Sequence, residues 1–343
     1  MLTILEHIPD GLLNSSEHEL HKVLPGPTLI HLPGRHPEPL FVSVLLHGNE
    51  PTGLYAVQKL LQKYQQKTLP RALSIFIGNV SAAREGHRHL EGQADYNRVW
   101  GHTEAATKTA EHAMMQEIIN TMRTRKVFAS IDVHNNTGLN PHYACVNKLQ
   151  QEFLHLATLF SRTVVYFIRP KDVQSMAFAD LCPAVTVECG KPGHPYGVNH
   201  ALEFLDTAIH LSHFPEHPVA RQDMDIFHTV ATVYVPKEFN IGFGDAAADV
   251  CFLEDLDHLN FRELAVGTSL AQLQATSGGL PLTVINEVEE EVTHNYFSFD
   301  EGEIRTTVPV MPSMFTLDKE VIHQDCLGYL MERIDLQTFI QKS

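Results

Sequence analysis

Long apolar runs, paired cysteines and cationic stretches are all scarce in this chain of 343 residues. No run approaches the roughly 18 to 20 consecutive apolar residues that a membrane-spanning helix needs. The start, Met1-Leu2-Thr3-Ile4-Leu5-Glu6-His7, has no basic stretch followed by an apolar core, so no secretion signal is expected. The cysteines, Cys145, Cys182, Cys189, Cys251 and Cys326, are odd in number and form no Cys-x-x-Cys pair. Free thiols in a reducing compartment, and hence a cytoplasmic protein, are the expectation. Only 25 basic residues face 41 acidic ones, a net charge of −16. A field of that sign repels nucleic acid and anionic membrane surfaces, although a local cationic pocket for an acidic metabolite stays compatible with it. Repeats and low-complexity tracts are missing. So are a His-Glu-x-x-His zinc helix, a Gly-x-Ser-x-Gly nucleophile elbow and a phosphate-cradling Walker loop.

What is present is 43% hydrophobic residues, enough for a sizeable core, and a length that suits two domains. The first two-thirds alternates strand and helix signals. Apolar runs at 41–46, 73–79, 127–133, 164–168 and 184–187 read as buried strands, and segments near 51–66, 105–124 and 149–161 as helices. Such alternation predicts an α/β fold with a mostly parallel or mixed sheet flanked by helices. The pattern changes near residue 215, where Pro215, Pro218 and Arg221-Gln222-Asp223 look like a linker. β-rich runs follow at 229–235, 282–288 and 304–310, with turns at Gly278-Gly279 and Glu301-Gly302. The division expected is a catalytic α/β domain over 1–215 and a smaller β-rich domain over 216–343. The acidic run Glu287-Val288-Glu289-Glu290-Glu291 reads as a solvated edge or loop that discourages edge pairing.

The chemistry-bearing residues fall at strand ends. His47-Gly48-Asn49-Glu50-Pro51-Thr52-Gly53 follows the first apolar run and opens a helix whose Leu54, Val57, Leu60, Leu61 and Tyr64 recur at helical spacing. His-x-x-Glu also occurs at His200/Glu203 and His213/Glu216, in or just after a later helical segment. Only His47 and Glu50 sit where an open α/β sheet binds ligands. His134 ends another strand, in Asp132-Val133-His134-Asn135-Asn136-Thr137-Gly138, and Glu188 ends a third. Two histidines and one carboxylate make a catalytic zinc set with a fourth position open for water. The same set also serves Fe(II) oxygenases, so the spacing alone leaves the metal open. A separate carboxylate must then move protons, and Glu188 is the candidate. Strand alternation is expected to turn Asp132 to the opposite face, and Cys189 is read as an inert core-edge thiol. Arg84-Glu85-Gly86-His87-Arg88 and Asp95-Tyr96-Asn97-Arg98 lie between the ligand segments, and an Asn-Arg pair suits a substrate carboxylate.

In this order the four segments resemble the succinylglutamate desuccinylase/aspartoacylase family, part of the zinc carboxypeptidase-like group. The resemblance covers roughly residues 40–210. It implies that His47, Glu50 and His134 bind one zinc ion and that Glu188 acts as general base and then acid. It further implies that Asn97 and Arg98 hold a substrate carboxylate and that an arginine before them stabilises the oxyanion. Arg88 is the best match for that arginine; its interval to Arg98 is about two residues longer than in the family, which keeps Arg84 in competition. Two features depart from the relatives. The position about ten residues before the general base, arginine in aspartoacylases, falls near Phe178 here, with Lys171 the closest cation. Tyr296 is the counterpart offered for a tyrosine that some members contribute from the C-terminal domain. The expectation is a zinc-dependent hydrolase that cleaves an amide in a small, carboxylate-bearing N-acyl amino acid. The alternatives are a metallocarboxypeptidase acting on a short or modified peptide, and an inactive metal- or ligand-binding protein. Neither nucleic acid nor membrane is expected as a partner; homo-oligomer formation is left open.

Overall fold

The computed structural model describes residues 1–244, 247–274 and 280–335. The chain forms two compact units, Met1–Asn135 with His142–Asp225, and Asn136–Pro141 with Ile226–Ser343.

The first unit is built on eight strands: β1 (Thr3–Leu5), β2 (Thr28–Leu32), β3 (Gly34–Val44), β4 (Leu69–Ile77), β5 (Ala129–His134), β6 (Tyr143–Val146), β7 (Thr163–Tyr166) and β8 (Ala184–Glu188). Their spatial order is β1-β2-β4-β3-β5-β8-β6-β7. The central strands β4, β3, β5 and β8 are parallel, and β2 and β6 join them antiparallel, so the sheet is mixed. Seven helices connect the strands: α1 (Thr52–Lys63), α2 (Val80–Glu85), α3 (Glu104–Thr107), α4 (Ala110–Thr124), α5 (Gln151–Phe160), α6 (Gln174–Phe178) and α7 (Pro195–His210). Strands β5 and β8 are buried along their whole length, which is why they read as apolar runs; the four-residue β6, equally buried, is too short to do so. From β3 the chain crosses through α1 to β4 on one side; β5 and β8 then build outward on the other. The carboxyl ends of β3 and β5 therefore flank the point where the strand order reverses, the crevice in which open α/β sheets bind ligands.

Local chemistry sets the boundaries. The first strand signal extends to Leu46, but β3 stops at Val44 because Leu45 takes a left-handed φ of 54°. The helix expected over 105–124 is two helices. Thr103 and Thr109 each cap a new start by accepting a backbone N–H three residues on, from Ala106 and His112. Strands β1 and β2 and helices α2 and α6 are five or six residues at most, too short for a periodic signal.

His31, on β2, is 2% exposed and shares a hydrogen bond with Ser74 Oγ at 2.8 Å. Burial, then the Arg125 charge, push its pKa down to about 4. Folded and unfolded chains both hold it neutral above about pH 6.5, and as the pH falls only the unfolded chain takes up the proton. Stability should thus drop by about 2 kcal/mol from this residue between pH 7 and pH 5. Unfolding midpoints at the two pH values should show a smaller acid loss for His31→Gln than for the wild type; equal losses refute the assignment.

The second unit is β-rich. Its first sheet comprises β9 (Asp225–Tyr234), β13 (Thr283–Asn286), β16 (Met311–Ser313) and β17 (Gly328–Arg333), in the order β13-β9-β17-β16, all antiparallel. Its second contains β10 (Ile241–Phe243), β11 (Val250–Phe252), β12 (Ser269–Leu273), β14 (Phe297–Asp300) and β15 (Glu303–Thr306), in the order β10-β11-β12-β15-β14. Val233, Phe252, Leu270, Val284, Phe297, Ile304 and Phe315 fill its core. The turn expected at Glu301-Gly302 joins β14 to β15 with φ of 54° and 75°, the two positive values that a tight hairpin needs. The acidic run after Asn286 forms a turn with Glu289 at φ 67°. The turn expected at Gly278-Gly279 lies outside the described residues. Among the described residues no helix is long and apolar enough to cross a membrane.

Candidate active site

The site begins where β3 ends. Leu45 turns the chain, and Glu50 N–H donates to the His47 carbonyl at 3.2 Å before α1 starts at Thr52. Two glycines allow the close approaches that follow. A Cβ on Gly48 would lie 2.2 Å from Ala83 N and 2.3 Å from Ala82 C, both backbone atoms that cannot yield. Gly48 N–H donates to the Arg88 carbonyl at 3.1 Å, so this contact brings the arginine segment to His47. A Cβ on Gly53 would meet Val44 and Val133 within 2.9 Å, which lets α1 press onto β3 and β5.

Glu50 is bracketed by the two histidines. Its Oε1 lies 2.8 Å from His47 Nδ1 and its Oε2 lies 2.7 Å from His134 Nδ1, while Asn135 N–H donates to Oε2 at 3.0 Å. All three residues are buried, and one ligand atom from each falls within 4.8 Å of the others. The outer ring nitrogens meet carboxylates: His47 Nε2 is 3.0 Å from Asp95 Oδ1, and His134 Nε2 is 2.8 Å from Asp132 Oδ2. An Nε2–H held by a carboxylate leaves the Nδ1 lone pair facing inward, the arrangement typical of histidines that ligate metals. This donor set fits a divalent ion.

Asp132 corrects the sequence reading. Side chains two residues apart on a strand share a face, so Asp132 lies with His134 rather than opposite it. It also accepts from Ser43 Oγ at 2.6 Å. Burial pushes Glu50 up and both imidazoles down, but their mutual charges outweigh it. The His47 and His134 charges hold Glu50 far below the usual carboxylate range. Burial and Arg88 oppose protonation of His47, yet Glu50 and Asp95 hold its pKa above the ordinary histidine value. Against burial, Asp132 and Glu50 do the same for His134 more strongly. The carboxylates thus favour positive charge between the two rings, charge that a dication can supply.

The other expected residues fall at different distances from this cluster. Glu188 pairs in register with His134 across the parallel β5/β8 ladder, so both side chains point to one face, and Glu188 is 5% exposed. Arg88 donates through Nε and Nη2 to Asp95 Oδ2 at 3.1 and 3.0 Å and holds Nη1 3.9 Å from Glu50 Oε1. Arg84 instead pairs with Glu85 on the surface, its side chain 58% exposed. Asn97 Nδ2 lies 3.3 Å from His134 Nε2, and Asn97 Oδ1 accepts from Gln174 N–H at 3.0 Å. Arg98, half-buried, donates to the Asn97 carbonyl at 3.1 Å. Phe178 is fully buried, stacked on Phe41 at 4.4 Å and edge-on to Trp100, while Lys171 is exposed. Tyr296 belongs to the second unit and lines a cavity there with Val308 and Met331.

His200 lies on α7 against His142 and Phe160, with Glu203 exposed, and His213 and Glu216 are both exposed; neither pair forms a second cluster. Burial, reinforced by the Glu188 charge, pushes the Cys145 and Cys189 thiols well above their ordinary value, which keeps both inert. Sequence reading missed Asp95, Asp132 and Asn135 as supports. Asn135 donates to the Gly190 carbonyl at 2.7 Å and accepts from Thr52 N–H, tying α1 to the end of β8. The adjacency of Asp95 to the Asn97-Arg98 pair and of Asp132 to His134 was the available signal.

Residues 39–214, just over half of the chain, match the succinylglutamate desuccinylase/aspartoacylase catalytic domain. No curated protein matches the chain by sequence. Among solved structures, succinylglutamate desuccinylase from Chromobacterium violaceum is similar at a TM-score of 0.53 and 17% identity, over 88% of this chain and 87% of that one. Murine aminoacylase 3 is similar at a TM-score of 0.55 and 16% identity, over 88% of this chain and 96% of that one. A succinylglutamate desuccinylase/aspartoacylase from Rhodobacter sphaeroides gives 0.54 and 11%, over 89% and 88%. At these identities the structural likeness speaks for the fold, and the matched catalytic domain speaks for the family: the chain belongs to the succinylglutamate desuccinylase/aspartoacylase family of hydrolases.

Proposed function

We propose that the protein is a zinc-dependent deacylase that hydrolyses the amide bond of a small N-acyl amino acid bearing a carboxylate. The observation that carries this reading is the pair of buried histidines whose Nδ1 atoms converge on Glu50 while carboxylates hold both Nε2 atoms. His47, Glu50 and His134 would hold one zinc ion, which supplies Lewis acidity when bound. Glu188, on the same face as His134, takes a proton from the attacking water at a carboxylate oxygen and returns it to the leaving amine nitrogen. Arg88 stabilises the negative charge that develops on the carbonyl oxygen; its guanidinium is oriented by two bonds to Asp95. Asn97 and Arg98 hold the substrate carboxylate. Buried Phe178 offers no charge where a second cation is expected, which favours substrates with fewer carboxylates than N-acetylaspartate.

Protein purified without added metal should carry about one zinc per chain by elemental analysis, as a three-ligand site requires. It should release free amino acid from members of an N-acyl amino acid panel and leave short peptides intact. Cleavage of peptides alone would establish a carboxypeptidase instead. Full zinc content without hydrolysis of either class would establish a binding protein.

A further inference from the structure

Away from the metal cluster, the first unit brings basic side chains and two hydroxyls to one cavity of about 390 Å³, lined by Arg35, His36, Tyr64, Lys67, Thr68 and His210. Three elements build it. Arg35 and His36 open β3, Lys67 and Thr68 precede β4, and His210 ends α7. The register Gly34↔Leu69 and His36↔Arg71 sets the two strand starts side by side. Convergence is therefore fixed by the sheet and owes nothing to the flexibility of one segment. Several other surface cations answer to carboxylates: Lys22 to Glu19, Lys108 to Glu104, Arg125 to Glu6, Lys148 to Asp180. Among the described residues, the side chains of Arg35, His36 and Lys67 have no hydrogen bond or ion pair. Asp206 contacts Tyr64 but already binds Lys63 Nζ at 2.7 Å. In a chain of net charge −16, bringing Arg35, His36 and Lys67 together with no ion-pair partner of their own is an arrangement that an anion would stabilise.

We propose that this cavity binds a small phosphate-bearing molecule. A phosphate offers three terminal oxygens to a guanidinium, an ammonium and the Thr68 hydroxyl at once, more acceptors than a carboxylate presents. The acidic field of the whole chain disfavours a polyanion such as nucleic acid, whereas a small ligand meets only the local charge. The site lies at the amino-terminal end of β3 and β4, about 30 Å along β3 from the His47 end. It is separate from the hydrolytic site, and its occupancy is independent of the reaction proposed there.

Amine-reactive acylation of the full-length protein, read by mass spectrometry, tests this with inorganic pyrophosphate as the probe. Lys67 labelling should fall at least about fivefold in pyrophosphate, relative to sodium chloride of equal ionic strength, while exposed Lys237 is unaffected. In Arg35→Glu the protection of Lys67 should weaken by more than about tenfold in pyrophosphate concentration, as loss of a charge-assisted bond requires. Unchanged Lys67 labelling, equal protection by sodium chloride, or full protection in Arg35→Glu overturns the site. Equal protection by citrate overturns its assignment to phosphate.

Discussion

Glu188→Gln should lower kcat by about three orders of magnitude while leaving zinc content and KM for an N-acyl amino acid within about twofold, the loss expected of a general base that moves a proton in the rate-limiting step. Glutamine keeps the shape of the side chain and its place in the β5/β8 ladder opposite His134, so folding and metal binding have no reason to change. The residue is 5% exposed at the end of a strand buried along its length, and a carboxylate in that position is costly unless it is in use or paired. The pH profile separates two explanations of any loss. A base acts on the proton, so the alkaline and acidic limbs of the kcat profile should flatten in the variant. A purely structural role would lower the unfolding midpoint and leave the profile's shape alone. Retained kcat in Glu188→Gln sinks the assignment.

The parts of this site that were legible in the sequence share one property: they sit where an element of one period gives way to another. His47, His134 and Glu188 each close a run of apolar residues, and an apolar run bounded by a polar group is visible without any structure. The mixed sheet and the β-rich second unit were legible for the same reason, as was the hairpin at Glu301-Gly302. What escaped depended on geometry that no period encodes. Asp132 shares the face of His134 by the two-residue repeat, but nothing in that repeat says that its carboxylate meets His134 Nε2. Asp95 lies on an irregular segment between α2 and α3, where nothing local says that its carboxylate joins His47 to Arg88. That Arg88 lies beside Glu50 and Arg84 does not depends on the close backbone approach at Gly48, a contact between residues about 40 apart in the chain. Short antiparallel additions such as β2 and β6 carry too few residues to declare themselves.

Glu50→Gln and Asp95→Asn should weaken zinc by different amounts, and the difference distinguishes a ligand from its support. Glu50 bridges both inward-facing ring nitrogens, at 2.8 and 2.7 Å, so the amide removes the one negative charge among the three ligands. Structural zinc sites with four ligands bind with roughly 10–16 kcal/mol, so losing one charged ligand of three should weaken the ion by about 3 kcal/mol or more, at least a hundredfold. Asp95→Asn keeps all three ligands and changes only the partner of His47 Nε2, a change that ordinarily costs about 10–100-fold in metal affinity. Its second effect should be on chemistry. Asp95 also receives two bonds from Arg88, so the neutral side chain frees the guanidinium, and kcat should fall even when zinc is supplied in excess. Competition with a zinc chelator gives the affinities, and kcat at saturating zinc separates the two roles. Full metal retention in Glu50→Gln refutes the metal site; an Asp95→Asn enzyme that excess zinc restores completely refutes the coupling of Arg88 to the chemistry through that carboxylate.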